Sequence, residues 1–393
     1  MLARAFWRAT QRTAADVLAE CGVAPASALG AVLLGQYGDA GVRPDKLSAA
    51  LFLGVVAHYL QGSRYPVGGS GALPLAMNAV VRAAGGVTFV QARVAALLPC
   101  ANAPGRCAGV VLATGESIAG RCVVSGIGAA PSFQLLRSVA PRAAGAALAR
   151  LRASHEYSTS FVFLFCAIDL TRLPAADAAG VDRSAHNRWI YPHCDYIQME
   201  KDYAATPPNE AFDHPLPMFV SSGSAKDARR GSRTKKTVVV LSQCPWGWVA
   251  RFAHLGEKAR ARDPAYQAFK AKATAALLRQ GFRRVFPQLE KAIAFTELGT
   301  PLSTNTFLGK ERGECYGRAA VPAHWGCPDL VPQTACANFY LTGQDIGTLG
   351  VAGAISAGYL TANAVAGYGR WTNVVRQSEI ALDLGEPSPY AGC

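Results

Sequence analysis

Along the chain, the spacing of apolar and polar positions changes character several times. Residues 13–60 carry apolar residues at helical spacing and predict helices joined through the turn GQYGDAGVRPD, Gly35 to Asp45. Ser70 stands where a cap would start a further helix with Leu73, Ala76, Met77, Val80, Val81 and Ala84 on one face, and Gly85-Gly86 would end it. A strand is expected directly afterwards. From Gly86 to Ser125 short apolar runs alternate with turn signals, VTFVQARVAALL, CAGVVLATGESIAG and RCVVSG, which predicts a small β-meander closed by a strand. RCVVSGIGAAP holds Gly126 and Gly128 behind that strand, but Pro131 occupies the third small position and no helical pattern follows at once, so it reads poorly as a dinucleotide fingerprint.

Between 155 and 250 the runs STSFVFLFCAIDL, PMFVSS and KTVVVLSQ predict an antiparallel sheet. Asp263-Pro264 has the order of a cap followed by a first-turn proline. The helix it opens carries Tyr266, Phe269, Ala273, Ala276, Leu277 and Gln280 on one face. Near the C-terminus FYLTGQDIGTLGVAGAISAG reads as a short strand at 338–342, a glycine-rich turn, and a helix from Gly350 to about Gly367. No repeat or low-complexity linker separates these segments. The fold class expected is α/β with α+β elements, two domains interleaved along the chain.

Length and composition narrow this picture. A chain of 393 residues, 50% hydrophobic and 17% charged, is long enough to bury a substantial core. The longest apolar run, Leu47 to Leu60, is too short and too interrupted to span a membrane. Arg4, Arg8 and Arg12 precede the first acid, Asp16, as in a transit peptide, although an ordinary amphipathic helix has the same spacing. Eleven scattered cysteines without a CxxC pair are expected to be reduced and mostly buried, and no metal site is expected. The net charge of +13 is concentrated: Ser221 to Lys291 holds 16 Lys and Arg against 4 Asp and Glu, opening with SAKDARRGSRTKKT. Such a segment is either a solvated face or an attraction to anionic lipid headgroups or an acidic cofactor. Nothing in its pattern indicates nucleic-acid binding.

The C-terminal stretch carries the clearest chemistry. Asp345 lies at the carboxyl end of a predicted strand, where a carboxylate can accept hydrogen bonds from sugar or ribityl hydroxyls. Gly347, Gly350 and Gly353 would let a flat ring approach a helix N-terminus whose free N–H groups favour negative charge, such as that on the pyrimidine side of a reduced flavin. Close packing of a strand-turn-helix would require the same glycines.

GQYGDAGVRP, HYLQGSRYPVGGSGALPLAMNAVVRAAGG, ARVAAL, CVVSGIG, FPQLEKAI, LGTPLSTNTFLGKERGECYG and NFYLTGQDIGTLGVAGAISAG occur in an order that resembles the retinol saturase group of the phytoene desaturase and carotenoid isomerase flavoproteins. The resemblance implies an FAD-binding Rossmann-type domain, incomplete here, interleaved with an antiparallel-sheet plus helix substrate domain. It divides the chain into a helical part of the substrate domain (1–60), an FAD-domain segment with the meander (61–135), the substrate domain (136–295), a C-terminal FAD-domain segment (296–372) and a tail (373–393). Such proteins begin with a strand-turn-helix bearing GxGxxG, a motif not found in these residues, so the chain is expected to correspond to the C-terminal two thirds of such an enzyme.

By position, the resemblance puts Arg93 and Val94 against the FAD adenine and Ser125 and Gly126 on the nucleotide cleft. Gly343, Asp345, Gly350, Val351 and Gly353 would meet the ribityl chain and ring. Tyr65, Gly68, Gly69 and Ser70 become contacts to cofactor or substrate, or simply a helix start. No general acid is singled out: Asp39, His58, Tyr65 and Tyr316 are polar residues within matching segments, with packing as their alternative role. Tyr157, Phe161, Phe163, Phe165, Trp246 and Trp248 could line an apolar tunnel or a core.

The implied activity is flavin-dependent saturation of a conjugated double bond in a retinoid or carotenoid-like polyisoprenoid, with NAD(P)H as a possible reductant. Carotenoid isomerisation or desaturation, non-catalytic binding of prenylated proteins of the GDP-dissociation-inhibitor type, and an inactive fragment are the alternatives. The lipophilic substrate and the basic segment 221–291 together imply peripheral membrane association, at endoplasmic reticulum or plastid.

Overall fold

The computed structural model describes residues 2–60, 62–154, 156–174, 186–227 and 234–367. Among them lie the strands β1 Val94–Pro99, β2 Cys107–Leu112, β3 Ser117–Ala119, β4 Val123–Ser125, β5 Phe161–Asp169, β6 Arg188–Ile190, β7 Met218–Ser221, β8 Lys235–Gln243, β9 Ile293–Gly299 and β10 Phe339–Leu341. Contacts divide the chain into two units, one formed by Met1–Val90 with Glu156–Trp325 and the other by Gln91–His155 with Gly326–Cys393. The predicted tail 373–393 and residues 228–233 of the basic run lie outside the described residues.

The first unit is organised by an antiparallel sheet of order β6-β7-β8-β5-β9. β-branched and aromatic residues dominate β5 and β8, and a pleated strand sends alternate side chains to opposite faces. Val162, Leu164, Cys166 and Ile168 of β5 point to one face with Val238 and Val240 of β8, all at most 2% exposed. The helix Pro264–Leu277 covers that face with Tyr266, Phe269, Ala273, Ala276 and Leu277, the face expected from the sequence. Asp263 caps it by accepting the Tyr266 N–H at 2.7 Å, and Pro264 sits in the first turn. Gln280, past the helix end, instead accepts the Leu216 N–H at 3.0 Å. Trp248 is sealed in the same core, where its ring packs on Tyr203 and Phe212 and its indole N–H donates to the Thr206 carbonyl at 2.9 Å. The opposite face carries Phe163, Phe165 and Ala167 of β5, with Phe165 51% exposed.

The second unit pairs two different sheets. β1, β2 and β3 form the antiparallel meander, and β10 runs parallel to β4. Helices Ala129–Leu136 and Pro141–Ser154 pack on each other, and Phe133, Leu136, Leu148 and Leu151 join Leu97, Phe339 and Leu341 in one core.

Several expectations are corrected. β9 pairs with β5, so the packing boundary in this part of the chain falls at Trp325 and not at 295. The helix Pro141–Ser154 belongs with the meander, and residues 61–90 with the five-stranded sheet. A helix does follow RCVVSG at once, because Pro131 lies in the first turn, where a missing N–H costs nothing. No strand follows Gly86: residues 87–93 are irregular and β1 starts at Val94. Gly71, not Ser70, occupies the cap position of the helix Ala72–Ala83, and none of that helix's apolar residues is buried. Among the described residues no helix is long and apolar enough to cross a membrane.

The pleat of β5 makes a direct test. Leu164→Ala is expected to lower stability by about 3 kcal/mol in urea denaturation through a core cavity. Phe165→Ala, one residue away on the opposite face, is expected to change it by less than about 1 kcal/mol.

Candidate functional site

In the second unit the parallel pairing of β4 with β10 brings the two strand ends side by side, Leu341 opposite Ser125. Both strands then pass into glycine. Gly343 has φ +96°, in the left-handed region, and a Cβ there would stand 3.5 Å from the Gly126 carbonyl oxygen, so the two backbones turn in close apposition. Ser125, buried, shares a 2.8 Å hydrogen bond with Ser132 on the helix Ala129–Leu136. Asp345 is 4% exposed, and its Oδ2 accepts the N–H of Ala129 at 2.8 Å. The carboxylate therefore satisfies the first N–H of that helix and ties the β10 turn to the β4 turn.

Past Asp345 the chain enters the helix Gly350–Ala366. A Cβ on Gly353 would collide with the Thr348 carbonyl, and one on Gly347 would stand 2.7 Å from the Gly353 carbonyl oxygen. These two glycines serve close packing of the turn on its own helix, the alternative their spacing left open. Thr361 anchors the helix from below, donating to the carbonyls of Leu341 and Ala357 at 2.8 Å. At the helix start Val351 is 63% exposed and Gly350 adopts φ +78°. The Thr348 hydroxyl oxygen is shielded from solvent and has no hydrogen-bond partner among the described residues. Such an orphaned hydroxyl beside free helix N–H groups is a donor awaiting an acceptor, and the sequence reading passed over it.

Ser125, Gly126, Gly343 and Asp345 thus meet at one place, with Gly350, Val351 and Gly353 at the adjoining helix start. Arg93 and Val94 lie on the meander, where the Arg93 carbonyl accepts the Ala113 N–H at 2.7 Å and Val94 pairs with Leu112.

Tyr65, Gly68, Gly69 and Ser70 belong to the first unit. Gly68 and Gly69 both have positive φ, and the Gly68 N–H donates to the buried Asp227 carboxylate at 2.7 Å. The Tyr65 hydroxyl lies against Gly223, leaving 3.1 Å to a Cβ placed there, and the Lys226 ammonium is 5.8 Å from the Tyr65 ring centroid. Burial pulls the Lys226 ammonium below its usual range, and it donates to Ser221 and Asn187. Tyr65, Gly69, Ser70 and Gly71 face Gly223, Ser224, Asp227 and the start of β8 across a cavity of about 480 Å³. Ser224, Asp227, Lys235 and Thr237 of this cavity fall in the run SAKDARRGSRTKKT, which the sequence marked only for its charge, because strand register alone brings them to the YPVGGSG loop.

The proposed tunnel residues separate. Phe163 and Phe165 are on the open sheet face with rings 6.4 Å apart and nearly parallel. Trp248 is core, Trp246 and Phe161 are largely buried, and Tyr157 sits in a polar cluster with Arg312, Arg318 and Glu311. The basic segment is also less continuous than its composition suggests. Lys235 pairs with Asp169, Lys270 with Glu297, Lys272 with Asp213 and Arg283 with Glu290, while Arg260 is buried.

Among the candidate acids, His58 stands beside Tyr59 on the last turn of the helix Ala49–Leu60. Tyr316 packs its ring against Gly41, and burial pushes its phenol up. Asp39, on the single turn Tyr37–Ala40, is hydrogen-bonded to Tyr59, and its Oδ2 is shielded without a partner among the described residues. Burial raises the Asp39 carboxyl to about 6, and burial with the Asp39 charge pushes Tyr59 up to about 12. Two residues earlier, the Tyr37 hydroxyl donates to Glu200 at 2.7 Å, and burial raises that carboxyl as well. A carboxyl raised in the folded state holds its proton longer there than in the unfolded chain. Its contribution to stability is therefore lost as pH rises from about 4 to about 6. Asp39→Asn is expected to flatten this decline in urea denaturation followed across that range, with a gain at pH 7 of about 2 kcal/mol.

No family model matches the chain. Proteins named all-trans-retinol 13,14-reductase from Danio rerio and Homo sapiens are 28% identical to it over 92% of the chain. A Danio rerio protein named inactive all-trans-retinol 13,14-reductase is 26% identical over 83%. The chain spans 58% of the length of the first two and 53% of the third. Among solved structures, an oxidoreductase from Methanosarcina mazei superposes with a TM-score of 0.53 at 13% identity, over 83% of this chain and 62% of that one. A putrescine oxidase double mutant redesigned in its cofactor binding superposes with a TM-score of 0.50 at 12% identity, over 91% and 69%. At such identities the structures speak for the fold, while the sequence relation extends over almost all of the chain: it is a homologue of the all-trans-retinol 13,14-reductases.

Proposed function

We propose that the chain is part of a flavin-dependent oxidoreductase that saturates a conjugated double bond of a retinoid or related polyisoprenoid. The observation that carries this reading is the meeting of two parallel strand ends at Gly126 and Gly343, with the helix Gly350–Ala366 opening beside them and the Thr348 hydroxyl orphaned at its start. The names of its homologues supply the substrate class.

The residues present fit the ring and ribityl part of FAD. Glycine at 126 and 343 leaves the strand ends free of side chains, Thr348 offers a hydroxyl, and the helix N-terminus offers N–H groups and a positive dipole end where negative charge would develop. Asp345 acts one step back: by capping the helix Ala129–Leu136 it fixes the two turns that form the floor. A bound reduced flavin would supply a hydride to one carbon of the double bond, with a proton from water reaching the other and NAD(P)H as the reductant that recharges it. The diphosphate end calls for a glycine-rich loop of a kind these 393 residues do not contain, so this chain contributes the ring side of the site. Peripheral association with an anionic membrane, at endoplasmic reticulum or plastid, would bring a lipophilic substrate within reach through exposed basic residues of 221–291 such as Lys258, Arg284 and Lys291.

A second reading, binding without turnover, draws support from the homologue that is named inactive. Titration with FAD separates the two. The full chain is expected to quench flavin fluorescence saturably, and Thr348→Val to weaken that binding about fivefold with the thermal transition unchanged. Absence of saturable quenching at any FAD concentration up to the millimolar range contradicts the flavin reading and leaves the binder. With flavin bound and chemically reduced, all-trans-retinol is expected to reoxidise it anaerobically with formation of a dihydro product.

A further inference from the structure

The five-stranded sheet has one covered face and one open face, and the open face leads to a cavity that carries several hydrogen-bonding side chains. Register fixes this arrangement. Phe163 lies opposite Leu241 and Gly299, Phe165 between Val239 and Glu297, whose carboxylate is paired with Lys270, and Ala167 between Thr237 and Phe295. These residues share the face that the helix Pro264–Leu277 does not cover, since that helix packs on the alternate positions. Phe165 and Phe295 are 51% and 61% exposed, an aromatic surface on a sheet whose other side carries the core. From Phe163 to Ala167 the face extends about 13 Å, roughly two to three isoprene units of an extended chain.

At its Ala167 end the character changes abruptly. Ala167, Thr237 and Ala294, the residue set loose by the irregularity between Phe295 and Ile293, also line the 480 Å³ cavity. The rest of the lining mixes Ile168 and the backbone of Gly69, Gly71 and Gly223 with hydrogen-bonding groups: the Tyr65 phenol, the Ser70 and Ser224 hydroxyls, Lys235 and Asp227. Lys226 stands behind Tyr65 and Asp169 is paired with Lys235, so two ammonium groups and two carboxylates surround the cavity, while Lys236, paired with Ile168, belongs to the covered face. A surface that is aromatic along one stretch and offers hydroxyl, ammonium and carboxylate groups at its end matches a linear amphiphile, with its oxygen at that end.

We propose that the open face of the sheet holds the hydrocarbon chain of the substrate, and that the cavity bounded by Tyr65, Ser70, Ser224, Lys235 and Thr237 receives its oxygenated terminus, an alcohol or a carboxylate. The site would then select polyenes with a polar end over all-hydrocarbon carotenes. This rests on the polyisoprenoid part of the proposed function and is independent of its flavin part.

Binding measured without flavin or reductant tests it, so that a failure to bind FAD leaves the outcome readable. The probes are all-trans-retinol, all-trans-retinoic acid and lycopene, presented in the same detergent and followed by quenching of tryptophan fluorescence. The wild-type chain is expected to bind the alcohol and the acid at least about tenfold more tightly than the hydrocarbon. The double variant Ser70→Ala with Lys235→Met, both residues being solvent-accessible, is expected to lose about tenfold for the two oxygenated probes and nothing for lycopene. Phe165→Ala is expected to weaken all three probes by a similar factor. Equal affinity of the wild type for alcohol, acid and lycopene overturns the proposal. So does a uniform loss across probes in the double variant, or unchanged binding in Phe165→Ala. Circular dichroism of each variant checks that the fold is retained, and Thr237→Val, whose buried neighbours on β8 stay in place, repeats the polar arm if the double variant unfolds.

Discussion

A strand in a sheet can give only every second side chain to a core, and β5 uses that constraint fully. It is flanked on both edges, by β8 and β9, so its backbone is satisfied and its identity is decided by its two faces. Its even-numbered residues are packed under the helix Pro264–Leu277, where each buried aliphatic side chain contributes about 2 kcal/mol. Of the odd-numbered ones, Phe163, Phe165 and Ala167 are left on the open face. A shift of one residue in register would exchange the two sets, exposing the core and burying the aromatic face against a helix shaped for other side chains. Stability of the first unit and the chemistry of its open face are thus consequences of the same pairing.

The second unit is built on a different constraint, the close approach of backbones. Gly126 and Gly343 let two parallel strands turn together, and Gly347 and Gly353 let the turn after β10 lie on its own helix. Asp345 joins these by a hydrogen bond to Ala129 across 216 positions of sequence. At Gly347 and Gly353 there is no room for a Cβ, and at Gly343 the positive φ calls for glycine; the strand ends are left bare of side chains, which is also what a flat cofactor requires. Structural and ligand-binding demands coincide at these residues, which is why one substitution affects both.

Much of this was legible in the sequence. Period-two runs marked β5, β7 and β8, the Asp263-Pro264 pair marked its helix, and the glycine spacing marked the C-terminal strand-turn-helix. What escaped has physical causes. β6, only three residues long, is set by pairing with β7, and no local pattern announces it. Pro131 looked like a breaker because a proline in a first turn and one in a helix interior differ only in where the helix begins. Ser224, Lys235 and Thr237 acquire meaning only when strand register sets them against the YPVGGSG loop, more than 150 residues away. Thr348 was hidden for another reason: an orphaned hydroxyl is a property of surroundings, and threonine in a polar turn is otherwise unremarkable.

The central claim is spatial, that a linear polyene lies on the open face of the five-stranded sheet with its polar end towards the cavity. Photoaffinity labelling tests it most directly, with a polyene alcohol carrying a diazirine at mid-chain and the adducts located by peptide mass spectrometry. The account predicts labelling at Phe165 or Phe295 that unlabelled all-trans-retinol suppresses. Competable labelling confined to the exposed helix Ala72–Ala83, or to the second unit, would contradict it.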